Sequence, residues 1–176
     1  MRFESLFQNY ELIVDRADRA FQSMEKEFGE LIKCRKSCSD CCYAVFGLFL
    51  IEAVYIKSKF DLIDPKEIQG AVLRCSETER SIKRLEMKLR KFEYDPVMQS
   101  MVYATERIRC PLLDDNNSCV IYPHRPITCR VYGIPTKIQG KARACVKSGF
   151  KSGDMYPVFD LDRVYKELFI LSVEDK

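Results

Sequence analysis

The sequence predicts a mainly α fold, with a single helical domain over residues 1–176 and an irregular, cysteine-rich loop layer. Long stretches carry apolar residues every three or four positions, which is the period of an amphipathic helix. Two Asp-Pro pairs have the residue types that favour a helix start. The segment from Cys110 to Gly153 lacks a long period and contains four prolines and four glycines, which is typical of loops.

Five helices are expected along the chain. Residues 3–32 form one long amphipathic pattern, with mostly charged residues on the solvated face. A shorter helix over 47–60 is apolar nearly all round and is expected to be buried. A third helix should begin after Asp64 and run to about Phe92, and a fourth should follow Asp95. The last helix is predicted over 160–173, and the cysteine-cluster region spans residues 34–145.

Composition limits the classes of protein to which this chain can belong. Hydrophobic residues make up 47% and charged residues 31%, which is a globular balance. The N-terminus carries charges every few residues and has no apolar signal region. The longest uncharged apolar run, Cys41 to Ile51, is only about half of the roughly 20 residues that a membrane span needs. We therefore expect a cytoplasmic protein with no membrane association.

The nine cysteines are the main chemical feature of the sequence. A reducing cytosol disfavours structural disulfides, and an odd number leaves one thiol over. Clustered cysteines in such a chain are predicted to be metal ligands or redox groups. Cys75 stands alone on the apolar stripe of the third helix and is predicted to pack in the core. The other eight form two groups, Cys34, Cys38, Cys41 and Cys42, then Cys110, Cys119, Cys129 and Cys145.

A thiolate is the soft ligand that Zn²⁺, Cu(I) and iron–sulfur clusters prefer. Structural zinc takes four sulfurs, whereas cluster proteins use a close run of cysteines with one from elsewhere. Cys34, Cys38 and Cys41 fit the second pattern, and any later cysteine could complete it. Their spacing is also that of radical S-adenosylmethionine enzymes, but the chain is too short for the usual barrel of those enzymes. A metal shared between the two cysteine groups would hold the loop layer in place.

The eight cysteines and their surroundings resemble a known family. The run of four cysteines is followed by Cys110-Pro111-Leu112, by Cys119-Val120-Ile121-Tyr122, by Arg125-Pro126, by Cys129-Arg130-x-Tyr132 and by Cys145. This pattern is similar to that of the YkgJ family of cysteine-cluster proteins, also called the CxxCxxCC zinc- or iron-chelating domain. The resemblance implies a metal or iron–sulfur centre. The chain departs from the pattern in its first gap, which has three residues, and in having Ser39 where a glycine is common.

A basic segment accompanies the second cysteine group. Seven basic residues and no acidic residue lie between Asn116 and Gly153. A thiolate-bound metal is anionic, and arginine stays charged and donates in a fixed geometry, so Arg125 and Arg130 are predicted to face the centre. A solvated face and an anion site are the alternatives for this segment. The few interleaved aromatic residues argue against nucleic acid. His124, the only histidine, lies in a proline-flanked turn and is predicted to have a surface or packing role.

Two functions from different classes follow from these observations. The first is a [4Fe–4S] iron–sulfur protein with a redox or electron-transfer role and an unknown redox or protein partner. The second is a zinc module in which one or two four-cysteine sites are structural and the function is protein interaction. No Cys–His pair or glycine-rich phosphate loop is visible, so the sequence assigns no catalytic residue.

Overall fold

The computed structural model describes residues 2–35 and 38–173, and the side chains of residues 2 and 3 lie outside the description. Within these ranges the α-helices are Arg2–Phe28 (α1), Leu50–Ser58 (α2), Pro65–Arg90 (α3), Pro96–Thr105 (α4), Ile127–Arg130 (α5) and Leu161–Val173 (α6). The strands are Thr136–Ile138 (β1), Lys141–Arg143 (β2) and Phe159–Asp160 (β3). The mainly α prediction is confirmed. The first helix ends at Phe28, four residues before the predicted end at residue 32.

Both Asp-Pro pairs start helices as predicted. The Asp64 carboxylate accepts a 2.8 Å hydrogen bond from the Lys66 amide at the start of α3. The Asp95 carboxylate accepts one of 3.0 Å from the Met98 amide at the start of α4. In each helix proline occupies the first position, where a missing amide hydrogen costs nothing because that amide would have no partner within the helix.

The chain forms two compact units. The first unit contains the residues up to 35, then 48–59 and then 124 onwards. The second unit contains residues 36–47 and 60–123. The single domain predicted for residues 1–176 stays a prediction.

The first unit has a continuous apolar core between α1, α2, α5 and α6. The buried face of α1 presents the residues expected from its period, which are Leu6, Tyr10, Ile13, Ala17 and Met24. Ile51 and Tyr55 of α2 pack on this face, together with Ile127 of α5 and Leu168 of α6. Burying each large apolar side chain contributes about 1.5–3 kcal/mol, so this core is the main source of stability for the unit.

A small sheet lies beside α6 in the first unit, with the strand order β2-β1-β3. Strands β1 and β2 are antiparallel, with Thr136 opposite Arg143, and β3 runs parallel to β1. Gln139 and Gly140 form the turn with positive φ angles of 53° and 72°. The Asp162 carboxylate accepts hydrogen bonds from both of their amides, at 2.7 and 2.8 Å. This hairpin is a regular element inside the segment predicted to be mostly loops.

The second unit has a much smaller core. Its buried apolar side chains among the described residues are Cys42, Ala71, Leu85, Ile108, Leu113 and Ile121. Helix α3 contributes two of them, although it is 26 residues long. Arg74 and Thr78 anchor α3 by donating to the backbone carbonyls of Pro111 and Arg109, at 2.9 and 3.0 Å.

The apolar stripe predicted for α3 is largely unburied. Val72 is 62% exposed, Ile82 is 42% exposed, and Cys75 is also exposed. The prediction that Cys75 packs in the core is therefore wrong. A helix of this length extends about 39 Å. The side chains of Arg74 and Thr78 anchor only one part of that length to the neighbouring backbone. A correctly predicted helical period therefore does not ensure that the apolar face is buried.

None of the helices in the described ranges combines the length and the apolar character that a membrane crossing requires.

Candidate metal centre

The two units divide the eight clustered cysteines between them. Cys34, Cys129 and Cys145 belong to the first unit, and the second unit holds the other five, Cys38, Cys41, Cys42, Cys110 and Cys119. Cys42 is buried and the other seven are half-buried. Members of both sequence groups thus occur in each unit, which the spacing along the chain does not reveal.

Cys41 and Cys42 lie on a single 3₁₀ turn, Asp40–Tyr43, in the second unit. The chain after this turn pairs with the segment that leads to Cys110. Ala44 bridges Arg107, the Ile108 amide donates to the Tyr43 carbonyl at 3.1 Å, and the Cys110 amide donates to the Cys42 carbonyl at 2.7 Å. These bonds fix the backbone of Cys110 beside that of Cys42.

An ion pair anchors the same turn from its other side. Asp40 is only 6% exposed, and its carboxylate accepts a 2.9 Å hydrogen bond from the Arg107 guanidinium. The same guanidinium donates to the Asp40 carbonyl at 3.0 Å. A buried carboxylate needs such a partner, because its desolvation is otherwise uncompensated. The pair therefore holds the turn that carries Cys41 and Cys42.

Cys119 reaches this place through a tight loop. Leu113 bridges Cys119, and the Val120 amide donates to the Leu112 carbonyl at 2.9 Å. Inside the loop the Asp114 carboxylate accepts from the amides of Asn116 and Ser118, at 2.9 and 2.6 Å. Asn117 has a φ of 58°, a conformation that asparagine tolerates better than most residues. The loop thus turns the chain back and brings Cys119 beside residues 110–113.

The four thiols of this region interact with one another. The Cys42 thiol is hydrogen-bonded to the thiols of Cys119 and Cys41, and these bonds together with burial raise its pKa. Burial also raises the pKa of the Cys110 thiol, and the neighbouring Cys119 and Cys41 raise it further. Like charges so close together repel, so these thiols can all be ionised only with a cation among them. Cys42 of the first cysteine group and Cys119 of the second group are therefore neighbours.

The three cysteines of the first unit are held by close backbone contacts. A Cβ added to Gly133 would lie 2.7 Å from the Cys34 Cβ and 3.2 Å from its Sγ, so the chain just after Cys129 packs on Cys34. The Gly149 amide donates to the Leu31 carbonyl at 2.7 Å. Within that loop, the Ser148 hydroxyl donates to the Cys145 carbonyl at 2.6 Å. The segments that carry Cys129 and Cys145 thus both return to the end of α1.

The predicted arginines lie close to Cys129 along the chain, and Arg130 is buried. Its guanidinium donates to both carboxylate oxygens of Asp18, at 3.0 and 2.8 Å, and to the Arg125 carbonyl at 2.8 Å. Arg130 therefore has a carboxylate partner on α1. Its predicted role in facing a metal centre, with that of Arg125, stays a prediction. The pKa of the half-buried His124 is lowered by burial and by nearby Lys59 and Arg130.

Two buried polar groups near Cys129, the Glu52 carboxyl and the Tyr10 hydroxyl, were not among the predicted site residues. Glu52 is 2% exposed and accepts hydrogen bonds from the amides of Phe49 and Ile127, at 3.1 and 3.0 Å. The Tyr10 hydroxyl is buried without a hydrogen-bond partner among the described residues, and burial raises its pKa strongly. Glu52 is the charged residue that directly follows an eleven-residue uncharged apolar run, and this position was the sequence signal that could have indicated a buried carboxyl.

The residues present fit a thiolate-bound metal by their chemistry. Within residues 2–35 and 38–173, no three or more His, Cys, Asp or Glu side chains are set in an arrangement that could directly hold a metal ion. The thiols of Cys41, Cys42 and Cys119 are joined by hydrogen bonds, as protonated thiols are. Metal binding would replace those protons. Four sulfurs in one region are the donor set of structural zinc and of iron–sulfur clusters.

Comparison with known proteins supports metal binding by this chain. Residues 33–146 match the family model CxxCxxCC, described as "Putative zinc- or iron-chelating domain". The chain belongs to the CxxCxxCC family. The matched region contains all eight clustered cysteines and excludes the whole of α1 and of α6. No curated protein and no solved structure matches the chain.

Proposed function

We propose that this member of the CxxCxxCC family binds its metal as a [4Fe–4S] cluster and serves in electron transfer with a redox partner. The observation that carries the proposal is the meeting of Cys41, Cys42 and Cys119, with Cys110 beside them. Four cysteine ligands are the usual complement of such a cluster. When bound, a [4Fe–4S] cluster accepts and donates single electrons.

The surroundings of these thiols favour electron transfer over substrate chemistry. Four protein sulfurs would leave no coordination position for a substrate, and a closed site argues against direct chemistry at the metal. Cys41, Cys110 and Cys119 are half-buried, so an electron would have a short path to the surface. Cys34, Cys38, Cys129 and Cys145 stay predicted metal ligands, and Arg125 and Arg130 are predicted to compensate negative charge.

Structural zinc is the second candidate, and the small core of the second unit favours it. A unit that buries so few apolar side chains gains little stability from packing, and a structural metal commonly makes up the difference. Zinc would be held by the same four sulfurs. The function of the protein would then be interaction with another protein.

Anaerobic purification followed by visible spectroscopy and elemental analysis distinguishes the two candidates. A brown protein with a broad absorption band in the blue, and iron matched by acid-labile sulfide, supports the cluster. A colourless protein that contains zinc and no iron contradicts the cluster and supports the structural module. Cys75→Ser is the matched control, because Cys75 is exposed and its loss should leave the metal content unchanged.

A further inference from the structure

The short helix α5 carries Cys129 and has little stability of its own. Its four residues are closed by two backbone hydrogen bonds of 3.2 Å, from the Arg130 amide to the Pro126 carbonyl and from the Val131 amide to the Ile127 carbonyl. A single helical turn is unfavourable by itself, because several backbone angles are fixed for each hydrogen bond gained. The conformation of α5 must therefore be imposed by the residues that pack around it.

Glu52 of α2 anchors the start of α5. Its buried carboxyl group accepts a 3.0 Å hydrogen bond from the Ile127 amide, which is the first amide of α5. The same carboxyl group accepts one of 3.1 Å from the Phe49 amide at the start of α2. The first amides of a helix have no partner within the helix, so one carboxyl group satisfies two helix starts. The position of α5 is thereby tied to that of α2.

Side chains of α6 and α1 hold the next residues of α5. The Tyr165 hydroxyl of α6 and the Thr128 hydroxyl share a 3.0 Å hydrogen bond. The buried Arg130 guanidinium donates to both oxygens of the Asp18 carboxylate of α1, at 3.0 and 2.8 Å. Hydrogen bonds between charged partners are stronger than neutral ones. Thr128 and Arg130 flank Cys129, which therefore lies between two anchored neighbours.

The Cys129 thiol lies close to these anchoring groups. Burial raises the pKa of the Tyr165 hydroxyl, the hydrogen bond with Thr128 lowers it, and negative charges on Glu52 and Cys129 raise it. Burial also raises the pKa of the Tyr10 hydroxyl, and negative charges on Glu52 and Cys129 again add to the effect. Charges shift a pKa in this way when they are close to the group. Cys129 and Glu52 are therefore both near the same two hydroxyl groups.

We propose that Asp18, Glu52 and Tyr165 are positioning residues for the Cys129 thiol and set its place as a metal ligand before the metal binds. The proposal rests on the proposed metal-binding function, in which Cys129 is a predicted ligand. It holds for zinc and for iron–sulfur, since both take thiolates. The three residues come from three helices that share one apolar core, which is the kind of rigid support that a preorganised ligand requires.

Thiol reactivity in the metal-free chain tests the positioning directly. Tyr165→Phe removes one hydroxyl and keeps the ring, whose centroid lies 5.5 Å from that of Phe49. A half-buried thiol reacts when the structure around it opens, and α5 should open more often without this anchor. We expect iodoacetamide to modify Cys129 several-fold faster in this variant than in the wild type, as measured by peptide mass spectrometry with the exposed Cys75 as internal reference.

Ser172→Ala is the matched control for this experiment. Its hydroxyl also lies on α6, accepts a 3.2 Å hydrogen bond from the Ile51 amide and donates one of 2.7 Å to the Leu168 carbonyl. These bonds go to α2 and to α6 itself, so the control removes a hydroxyl from the same helix without removing an anchor of α5. Alkylation of Cys129 should keep the wild-type rate. Equal acceleration in both variants, or no acceleration in Tyr165→Phe, would overturn the proposal.

Loss of metal to a chelator supplies the readout on the ligand role. Partners of a metal ligand commonly contribute about 10–100-fold to metal affinity, so Glu52→Ala should release the metal at least about 10-fold faster than the wild type. Glu52→Gln keeps an oxygen for the Ile127 amide and should recover part of the loss, whereas Cys75→Ser should match the wild type. Should Glu52→Ala fail to fold, Tyr165→Phe and Asp18→Asn are measured in its place.

The outcomes separate this proposal from the proposed function. A wild-type chain that holds iron or zinc, with unchanged release from the Glu52, Tyr165 and Asp18 variants, overturns the positioning role while the proposed metal binding stands. A wild-type chain that binds neither iron nor zinc overturns both. Faster release from these variants but not from Cys75→Ser, together with faster alkylation of Cys129 in Tyr165→Phe, supports the positioning role.

Discussion

The backbone amide of Cys110 donates a 2.7 Å hydrogen bond to the carbonyl oxygen of Cys42. This bond joins the two cysteine groups, which are separated by α2, α3 and α4 along the chain. It places two thiol-bearing residues side by side through the backbone, before any metal is bound. A site built in this way is partly organised in advance, which lowers the entropy that metal binding must overcome.

Gly133→Ala should weaken the first unit. The added methyl group would lie 2.7 Å from the Cys34 Cβ and 3.3 Å from a ring carbon of Phe21, which is too close for normal contact. We expect a loss of about 1–3 kcal/mol in the free energy of unfolding, with reduced retention of any metal bound by Cys34. Chemical denaturation and metal analysis measure the two effects.

Gly47→Ala is the matched control for this substitution. Nothing lies within 4 Å of a Cβ added at Gly47, and the residue is exposed. Its stability should stay within about 0.5 kcal/mol of wild type, as for most surface changes. Equal effects of the two glycine substitutions would show that Gly133 and Cys34 do not pack as described.

Arg107→Ala should destabilise the turn that carries Cys41 and Cys42. The substitution leaves the buried Asp40 carboxylate without its 2.9 Å partner, at a cost of about 1–3 kcal/mol in the free energy of unfolding. The double variant Arg107→Ala with Asp40→Asn should recover part of the loss, because the buried negative charge that Arg107 offsets is then also absent. Thermal denaturation of the single and double variants checks this.

Lys88→Ala is the control for the Arg107 experiment. Lys88 forms a 2.6 Å ion pair with Glu106 in the same unit, but its side chain is 53% exposed. Exposed pairs contribute little, so a change under about 0.5 kcal/mol is expected. A loss at Lys88 as large as that at Arg107 would contradict the importance assigned to Asp40 burial.

Glu52 should make stability depend on pH. Burial raises the pKa of its carboxyl, although the amides of Ile127 and Phe49 act in the opposite direction. The folded chain therefore keeps this proton to a higher pH than the unfolded chain does. The stabilising contribution of Glu52 to the free energy of unfolding is fully present below the ordinary glutamate pKa. It is lost as the pH rises through the raised pKa that Glu52 has in the folded chain.

Glu52→Gln should remove this component of the pH dependence. The substitution should also lower the free energy of unfolding by about 1–3 kcal/mol at low pH, because an amide has only one oxygen to accept hydrogen bonds from two backbone amides. Denaturant unfolding of both proteins across the acidic range measures the difference between their curves. The exposed Glu25→Gln serves as control, and parallel curves for wild type and Glu52→Gln would refute the prediction.

Cys75 should be the thiol that reacts first with an alkylating agent in the metal-loaded protein. It is exposed, whereas the other eight cysteines are half-buried or buried and are predicted ligands. Mass spectrometry should find one modification in the loaded chain, none in loaded Cys75→Ser, and several more after a chelator removes the metal. Rapid modification of several cysteines in the loaded wild type would contradict the ligand assignment.

Local signals in the sequence predicted the helix starts and the buried face of α1 well. A carboxylate followed by proline satisfies an unpaired amide within three residues, so Asp64 and Asp95 act the same way in almost any fold. The buried face of α1 follows from a repeated period over 27 residues. The predicted end of α1 came four residues late, because apolar residues such as Ile32 continue to be buried after the helix stops at Phe28.

Burial of α3 was not predictable in the same way. Its stripe has a helical period, yet Val72, Cys75 and Ile82 are exposed because the segments that pack on α3 cover only part of its length. The spacing of apolar residues along a helix predicts which residues share a face, but it does not predict which other segments cover that face. The buried Glu52 is a similar case, since its backbone donor Ile127 lies 75 residues away.

The sequence by itself determined the helical class, the helix starts, the eight-cysteine pattern and the family to which the pattern belongs. These depend on residue types at short range or in fixed order. Only the tertiary structure decided that Cys41 and Cys42 meet Cys110 and Cys119, and that Cys34 packs with the segment following Cys129. Such meetings depend on backbone hydrogen bonds and close packing between segments far apart in the chain, and spacing along one sequence does not encode which distant segments will pair.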